Sequence, residues 1–242
     1  MEAFIFSLIA AIATMVGGLL VIYNYDWAHN NQNYLAAFAS GTLVSLSFIE
    51  IIPESMEMGG LGGLFVIIGF ILLYLFEQVF SPSRCTDDEC TVKSVTLLAW
   101  GGLLLHSFID GVAIVASFQV SRILGLMVAL GVILHEFPEG LTSGSLLTLL
   151  RYPKKKIFFF IFLVAIATPA GAILSILSIG FFNPSAILPF LSSVLGLAAG
   201  TFIYVAVADL LPHSHRVKNI KVTLIFLSGV ILIIAGHFLK GN

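Results

Sequence analysis

Two short stretches hold the residues with the most chemistry in them: His106-Ser107-Phe108-Ile109-Asp110-Gly111 and His135-Glu136-Phe137-Pro138-Glu139-Gly140. His106 and Asp110 are four residues apart, as are His135 and Glu139. On a helix that spacing puts both members of a pair on one face. Two such faces turned toward each other offer two imidazoles and at least two carboxylates to a small volume. Imidazole mixed with carboxylate suits zinc and similar divalent first-row ions. These stretches hold no cysteine or methionine, which argues against a copper(I) site. Glu136 is turned about 100° away on the helix and is aimed at a second, adjacent position. Pro138 removes a backbone donor and disturbs the carbonyl of Leu134, so a kink is expected there, with the freed carbonyl as an extra oxygen.

Positioning these groups requires helices, and the composition says which kind. The chain has 242 residues, 59% of them hydrophobic and 10% charged. A soluble domain carries roughly 25% charged residues. A transmembrane helix takes about 20 apolar residues. Windows of that size give eight spans: 3–23, 35–55, 61–80, 95–118, 122–149, 156–180, 186–212 and 221–240. The expected fold class is therefore all-α, a polytopic membrane protein forming one transmembrane domain over residues 1–242. The longest connector is a loop at 81–94. The acidic start and long first apolar run read as an uncleaved first span. No nucleotide-binding loop is present, so ATP hydrolysis is not expected, and neither are a prosthetic group or a nucleic-acid partner.

Charge sets the expected orientation. With eight spans, Arg84, Lys93, Arg151, Lys154, Lys155, Lys156, Arg216, Lys218 and Lys221 fall on one side, and only Arg122 and Lys240 on the other. Basic loops stay cytoplasmic. Both termini are then outside, and the loop 81–94, with Cys85 and Cys90, is cytoplasmic, where thiols stay reduced. Trp27 and Trp100 read as interface anchors, and His29 and His237 as interfacial side chains. The segment 151–156 reads as a topology determinant and an anionic-lipid contact.

The spans also repeat. Gly41-Thr42 through Glu50, Pro53 and Ser55 aligns without a gap to Gly200-Thr201 through Asp209, Pro212 and Ser214. The two chemical stretches align with each other as well. The aligned helices run in opposite directions, so the repeat is inverted, with helices 1–3 related to 6–8 and helix 4 to helix 5. Inverted repeats are a layout of secondary transporters, whose sites lie where the repeats meet near the midplane. Ionisable groups at that depth cost about 2.5–3.5 kcal/mol each on insertion scales, so five of them in matched stretches point to a function. The reading is a divalent metal transporter, zinc first, and not an enzyme. The alternative is an intramembrane metal-dependent hydrolase, since His135-Glu136 opens like a zincin motif. The second histidine of that motif is absent, with Glu139 in its place. At the helix ends, Glu50 and Glu54 are candidates for an entrance, with Met56, Glu57 and Met58 nearby. Asp209 and His213 are candidates for an exit, near His215.

These residues make the sequence resemble the ZIP (Zrt/Irt-like) metal transporter family over all eight spans. His135 to Gly140 matches the family's fifth-helix signature, and His106 to Gly111 is a variant of the fourth-helix one. The ending Glu50-Ile51-Ile52-Pro53-Glu54 and the stretch Gly200 to Pro212 are also similar to the family's. The resemblance implies a binuclear site. His106, Asp110, His135 and Glu139 take one metal position. Ser107, Asp110, Glu136 and Glu139 line the other, with residues 110 and 139 bridging. It further implies uptake toward the cytoplasm, an elevator-like motion and a homodimer. Ser107, Ile109 and Asp110 stand where the family has Asn, Pro and Glu, and the sixth helix carries no carboxylate, so the second position is expected to be weak or to serve only as a transit point. The short loop after the third helix, without a histidine run, leans toward a prokaryotic plasma-membrane protein.

Overall fold

The computed structural model describes residues 1–59, 61–80, 88–179, 184–211 and 219–240. They form eight helical rods in chain order and, among the described residues, no strand. The rods are α1 (Glu2–Tyr23), α2, α3 (Gly62–Phe80), α4 (Asp88–Val120), α5 (Arg122–Leu149), α6 (Lys154–Ile179), α7 and α8 (Ile220–Lys240). In α2, Tyr25–Leu46 continues through a π-helical segment, Ser47–Ile51, into Ile52–Glu57. In α7, Pro184–Tyr204 continues into a second π-helical segment, Val205–Leu210.

Seven of the rods are long and apolar enough to cross a membrane. The exception is α3, whose apolar stretch Gly62–Phe76 is shorter, so the count of eight spans rests on it. Two rods start a full turn or more before the apolar windows. α2 begins at Tyr25, where Asn24 caps it by accepting a hydrogen bond from the Trp27 backbone N–H at 3.3 Å. α4 begins at Asp88 and takes up half of the segment 81–94 that reads as a loop. Helical hydrogen bonding continues past the end of an apolar run, so hydropathy marks where lipid ends and not where the helix does. The remainder of that loop, with Cys85, lies outside the described residues. Helix α5 runs unbroken through Pro138, and the Thr142 hydroxyl donates to the Pro138 carbonyl at 3.0 Å.

The rods pack as two four-helix units. α1, α4, α5 and α6 pack chiefly on one another, as do α2, α3, α7 and α8; the units meet mainly where α2 faces α5 and α4 faces α7. Leu43, Leu46, Ile114, Leu124, Val128 and Phe202 are fully buried in one apolar cluster drawn from both units. Apolar side chains such as Ile12 on α1 and Ile231 on α8 point outward, 62% exposed each. That is the pattern lipid requires, because a membrane protein satisfies its backbone internally and presents apolar surface to the chains.

Without a hydrophobic drive between helices in lipid, close backbone approach does much of the packing, and small residues permit it. A Cβ at Gly111 would run into the Thr168 carbonyl of α6, and one at Gly140 into the Thr14 carbonyl of α1. The reciprocal contacts are Gly171 on the Phe108 carbonyl and Gly17 on the Phe137 carbonyl. α4 thus meets α6 as α5 meets α1. The two π segments also fall at aligned positions, each around its acidic residue, Glu50 or Asp209.

Candidate metal centre

Each half of the centre comes from one helix turn. α4 presents His106 and Asp110, α5 presents His135 and Glu139, and all four are 0–2% exposed. One ligand atom from each lies within 4.8 Å of the others. His135 Nε2 is 2.9 Å from Asp110 Oδ2 and 4.0 Å from Glu139 Oε2. His106 Nδ1 is 3.6 Å from Asp110 Oδ1, and its Nε2 is 3.8 Å from Glu139 Oε2. Ligands about 2.0–2.2 Å from a tetrahedral zinc ion lie about 3.3–3.6 Å from one another. With one atom from each residue the set spans up to 4.8 Å, so the side chains must draw inward to close around one ion.

The surroundings orient the ligands. His135 Nδ1 lies 3.0 Å from the Gly131 carbonyl, one turn back on α5, which directs Nε2 into the cluster. The Ser107 hydroxyl donates to Glu139 Oε1 at 2.9 Å, leaving Oε2 toward the two imidazoles. His106 Nδ1, His106 Nε2 and Asp110 Oδ1 are buried and make no hydrogen bond. Buried polar atoms are nearly always satisfied, so a donor set of this kind fits a cation ligand well. From the other unit, Phe202 of α7 lies with its ring centroid 5.7 Å from that of His106 and 5.6 Å from that of His135. The inclinations are 81° and 64°, so an aromatic ring covers the α7 side of both imidazoles.

Glu136 is fully buried but stands apart from the set of four. Its carboxylate accepts from the hydroxyl of Thr168 on α6 at 2.8 Å and from that of Thr14 on α1. Ser107 therefore touches the cluster through Glu139, whereas Glu136 faces the neighbouring helices of its own unit. Of the helix-end candidates, Glu50 is buried and pairs with His237 of α8, Nδ1 to Oε1 at 2.5 Å. His237, read from the sequence as interfacial, is a partner the sequence reading did not supply. Glu54 is half-buried one turn on. Asp209 lies on the π segment of α7, and His213 lies outside the described residues. Thr14 and Thr168 were legible in principle. Ala11-Ile12-Ala13-Thr14 with Gly17 matches Ala165-Ile166-Ala167-Thr168 with Gly171, a repeat between the first and sixth helices.

Fold and site together define an integral membrane protein, all-α and polytopic, with a buried imidazole–carboxylate ligand set between two helices. The chain belongs to the ZIP family: the family profile described as ZIP Zinc transporter matches residues 81–236, more than half of it. It is 32% identical to Metal cation symporter ZIP8 of Homo sapiens over 146 residues, 59% of this chain and 30% of that protein. It is 26% identical to Zinc transporter ZIP13 of Pongo abelii over 223 residues, 83% of this chain and 65% of that protein. With Metal cation symporter ZIP14 of Danio rerio the identity is 35% over 136 residues, 56% and 26% of the two chains. The chain thus spans about a third of the length of the first of these relatives.

Proposed function

We propose that this protein carries divalent metal ions, zinc first among them, across a cell membrane and toward the cytoplasm, binding each ion between α4 and α5. The observation that carries this is the buried set of His106, Asp110, His135 and Glu139, at mid-helix in a chain of membrane-crossing rods. Two carboxylates offset the two charges of the ion, and the imidazoles complete a set suited to zinc. Four protein ligands leave no open position for an activated water, which a hydrolytic zinc site keeps. Transport therefore fits better than hydrolysis.

Both termini face outside in this reading, following the basic residues of the connectors. Ions enter from the side of Glu50, Glu54 and His237 and leave toward Asp209 and His213. Access changes as the unit of α1, α4, α5 and α6 moves against the other. Phe202, which belongs to the second unit yet covers the imidazoles of the first, must part from them during that movement. The protein works as a homodimer.

The test is metal flux into proteoliposomes loaded with a zinc-sensitive dye, run beside manganese, iron, cobalt and cadmium. Wild type is expected to carry zinc, and His106→Ala and Glu139→Ala to fall to the protein-free rate. Zinc flux that survives both substitutions would remove the site from the route.

A further inference from the structure

We infer that Glu136 is a structural residue and not a metal ligand: with Thr14 and Thr168 it clasps α1, α5 and α6 together, and each chain holds one divalent ion. This rests on the reading of His106, Asp110, His135 and Glu139 as the transport site, and it departs from the binuclear arrangement that the family resemblance implies.

The hydrogen bonds supply the first argument. Both Glu136 oxygens are taken, one by each threonine hydroxyl, in a pocket with no exposure. A carboxylate turned toward the set of four would give up both of these hydrogen bonds. Buried polar groups stripped of partners cost about 1–3 kcal/mol each.

The second argument is the backbone. The threonines occupy matched positions on α1 and α6, within the repeated Ala-Ile-Ala-Thr stretch. Gly140 packs on the Thr14 carbonyl and Gly111 on the Thr168 carbonyl, so the backbones of α1 and α6 lie close against α5 and α4 on either side of the carboxylate. The residue on α4 aligned with Glu136 is Ser107, and it turns to Glu139 instead. One carboxylate thus serves both threonines, and the clasp has a single centre.

Charge supplies the third. Asp110 and Glu139 balance one divalent ion. A second ion would have only Glu136 to itself, leaving a net positive charge at bilayer depth, where charge is expensive. The ligands added around it would be neutral hydroxyls.

The clasp joins three of the four helices of one unit, and α4 is tied in by its contact with α6. The unit then moves as one body, with the ligands fixed relative to each other.

The experiment is zinc stoichiometry of the full chain in lipid nanodiscs, by calorimetry and by elemental analysis. Visible spectra of the cobalt(II)-loaded protein report on the ligands. Wild type should bind one ion per chain. Glu136→Gln should still bind one, with an unchanged cobalt spectrum and an affinity change below the roughly 10–100-fold typical of groups that orient ligands. Thr14→Val and Thr168→Val should lower the unfolding temperature at the same stoichiometry, and Thr14→Ser and Thr168→Ser should restore it. Two ions per wild-type chain, one of them lost in Glu136→Gln, would overturn the inference and leave the transport site standing. A single ion unaffected by His106→Ala would overturn both. Should Glu136→Gln fail to fold, the wild-type stoichiometry alone decides.

Discussion

Two carboxylates on successive turns of one helix, Glu136 and Glu139, are both buried and meet different partners. Glu139 faces α4, where an imidazole, an aspartate and a serine hydroxyl meet it, together with the imidazole of His135 from its own helix. Glu136 faces α1 and α6, where the hydroxyls of Thr14 and Thr168 donate to it. One environment gathers lone pairs that need a cation; the other supplies protons to a carboxylate and satisfies it. Burial of an acid in a membrane protein therefore does not by itself make an ion site. The partners on the neighbouring helices decide.

The sharpest way to break this contrast is to remove the carboxylates one at a time. Asp110→Ala should lower zinc flux in proteoliposomes by at least about 100-fold, because it deletes a ligand where even orienting groups cost 10–100-fold in affinity. An Asp110→Ala protein that transports normally would erase the distinction between the two sides of the helix. Ser107→Ala tests the same contrast more gently, since it removes only the hydrogen bond to Glu139. The expected loss is of zinc affinity, toward the low end of that range of about 10–100-fold, with the stoichiometry intact. Calorimetry on the purified protein reads it directly.

Packing around the clasp gives a third effect, on stability. Gly140→Ala places a methyl group against the Thr14 carbonyl and should destabilise the protein by about 1–3 kcal/mol, as overpacking does. Thermal unfolding in detergent checks this, with Gly63→Ala as the control, because a Cβ at Gly63 meets nothing within 4 Å. The smallest effect belongs to the surface. Glu2 and Arg122 form an ion pair with both side chains at least half exposed, and Arg122→Ala should change the unfolding temperature little.

Much of this was legible in the sequence because it is local. His106 with Asp110, and His135 with Glu139, share a helix face by spacing alone, and the eight apolar windows fall on the eight rods, seven of them long and apolar enough to cross a membrane. The direction of Glu136 was not legible in the same way. A residue about 100° round the helix can face a second ion position or two neighbouring helices, and only the packing of α1 and α6 chooses. The pairing of Glu50 with His237 spans 187 residues of chain and depends on how α2 lies along α8. The early start of α2 was hidden for a different reason: its first turns are polar, so hydropathy passes over a helix that Asn24 caps. The π segment around Glu50 departs from the regular periodicity on which face assignments rest, and no residue type announces it.

Zinc K-edge absorption spectroscopy of the zinc-loaded protein addresses the central claim most directly, since it counts the atoms around the ion. The arrangement described here predicts four light-atom ligands at about 2.0–2.2 Å, with the multiple-scattering signature of two imidazoles and an oxygen from each of two carboxylates. A shell of oxygen alone, or of one imidazole or none, would contradict it.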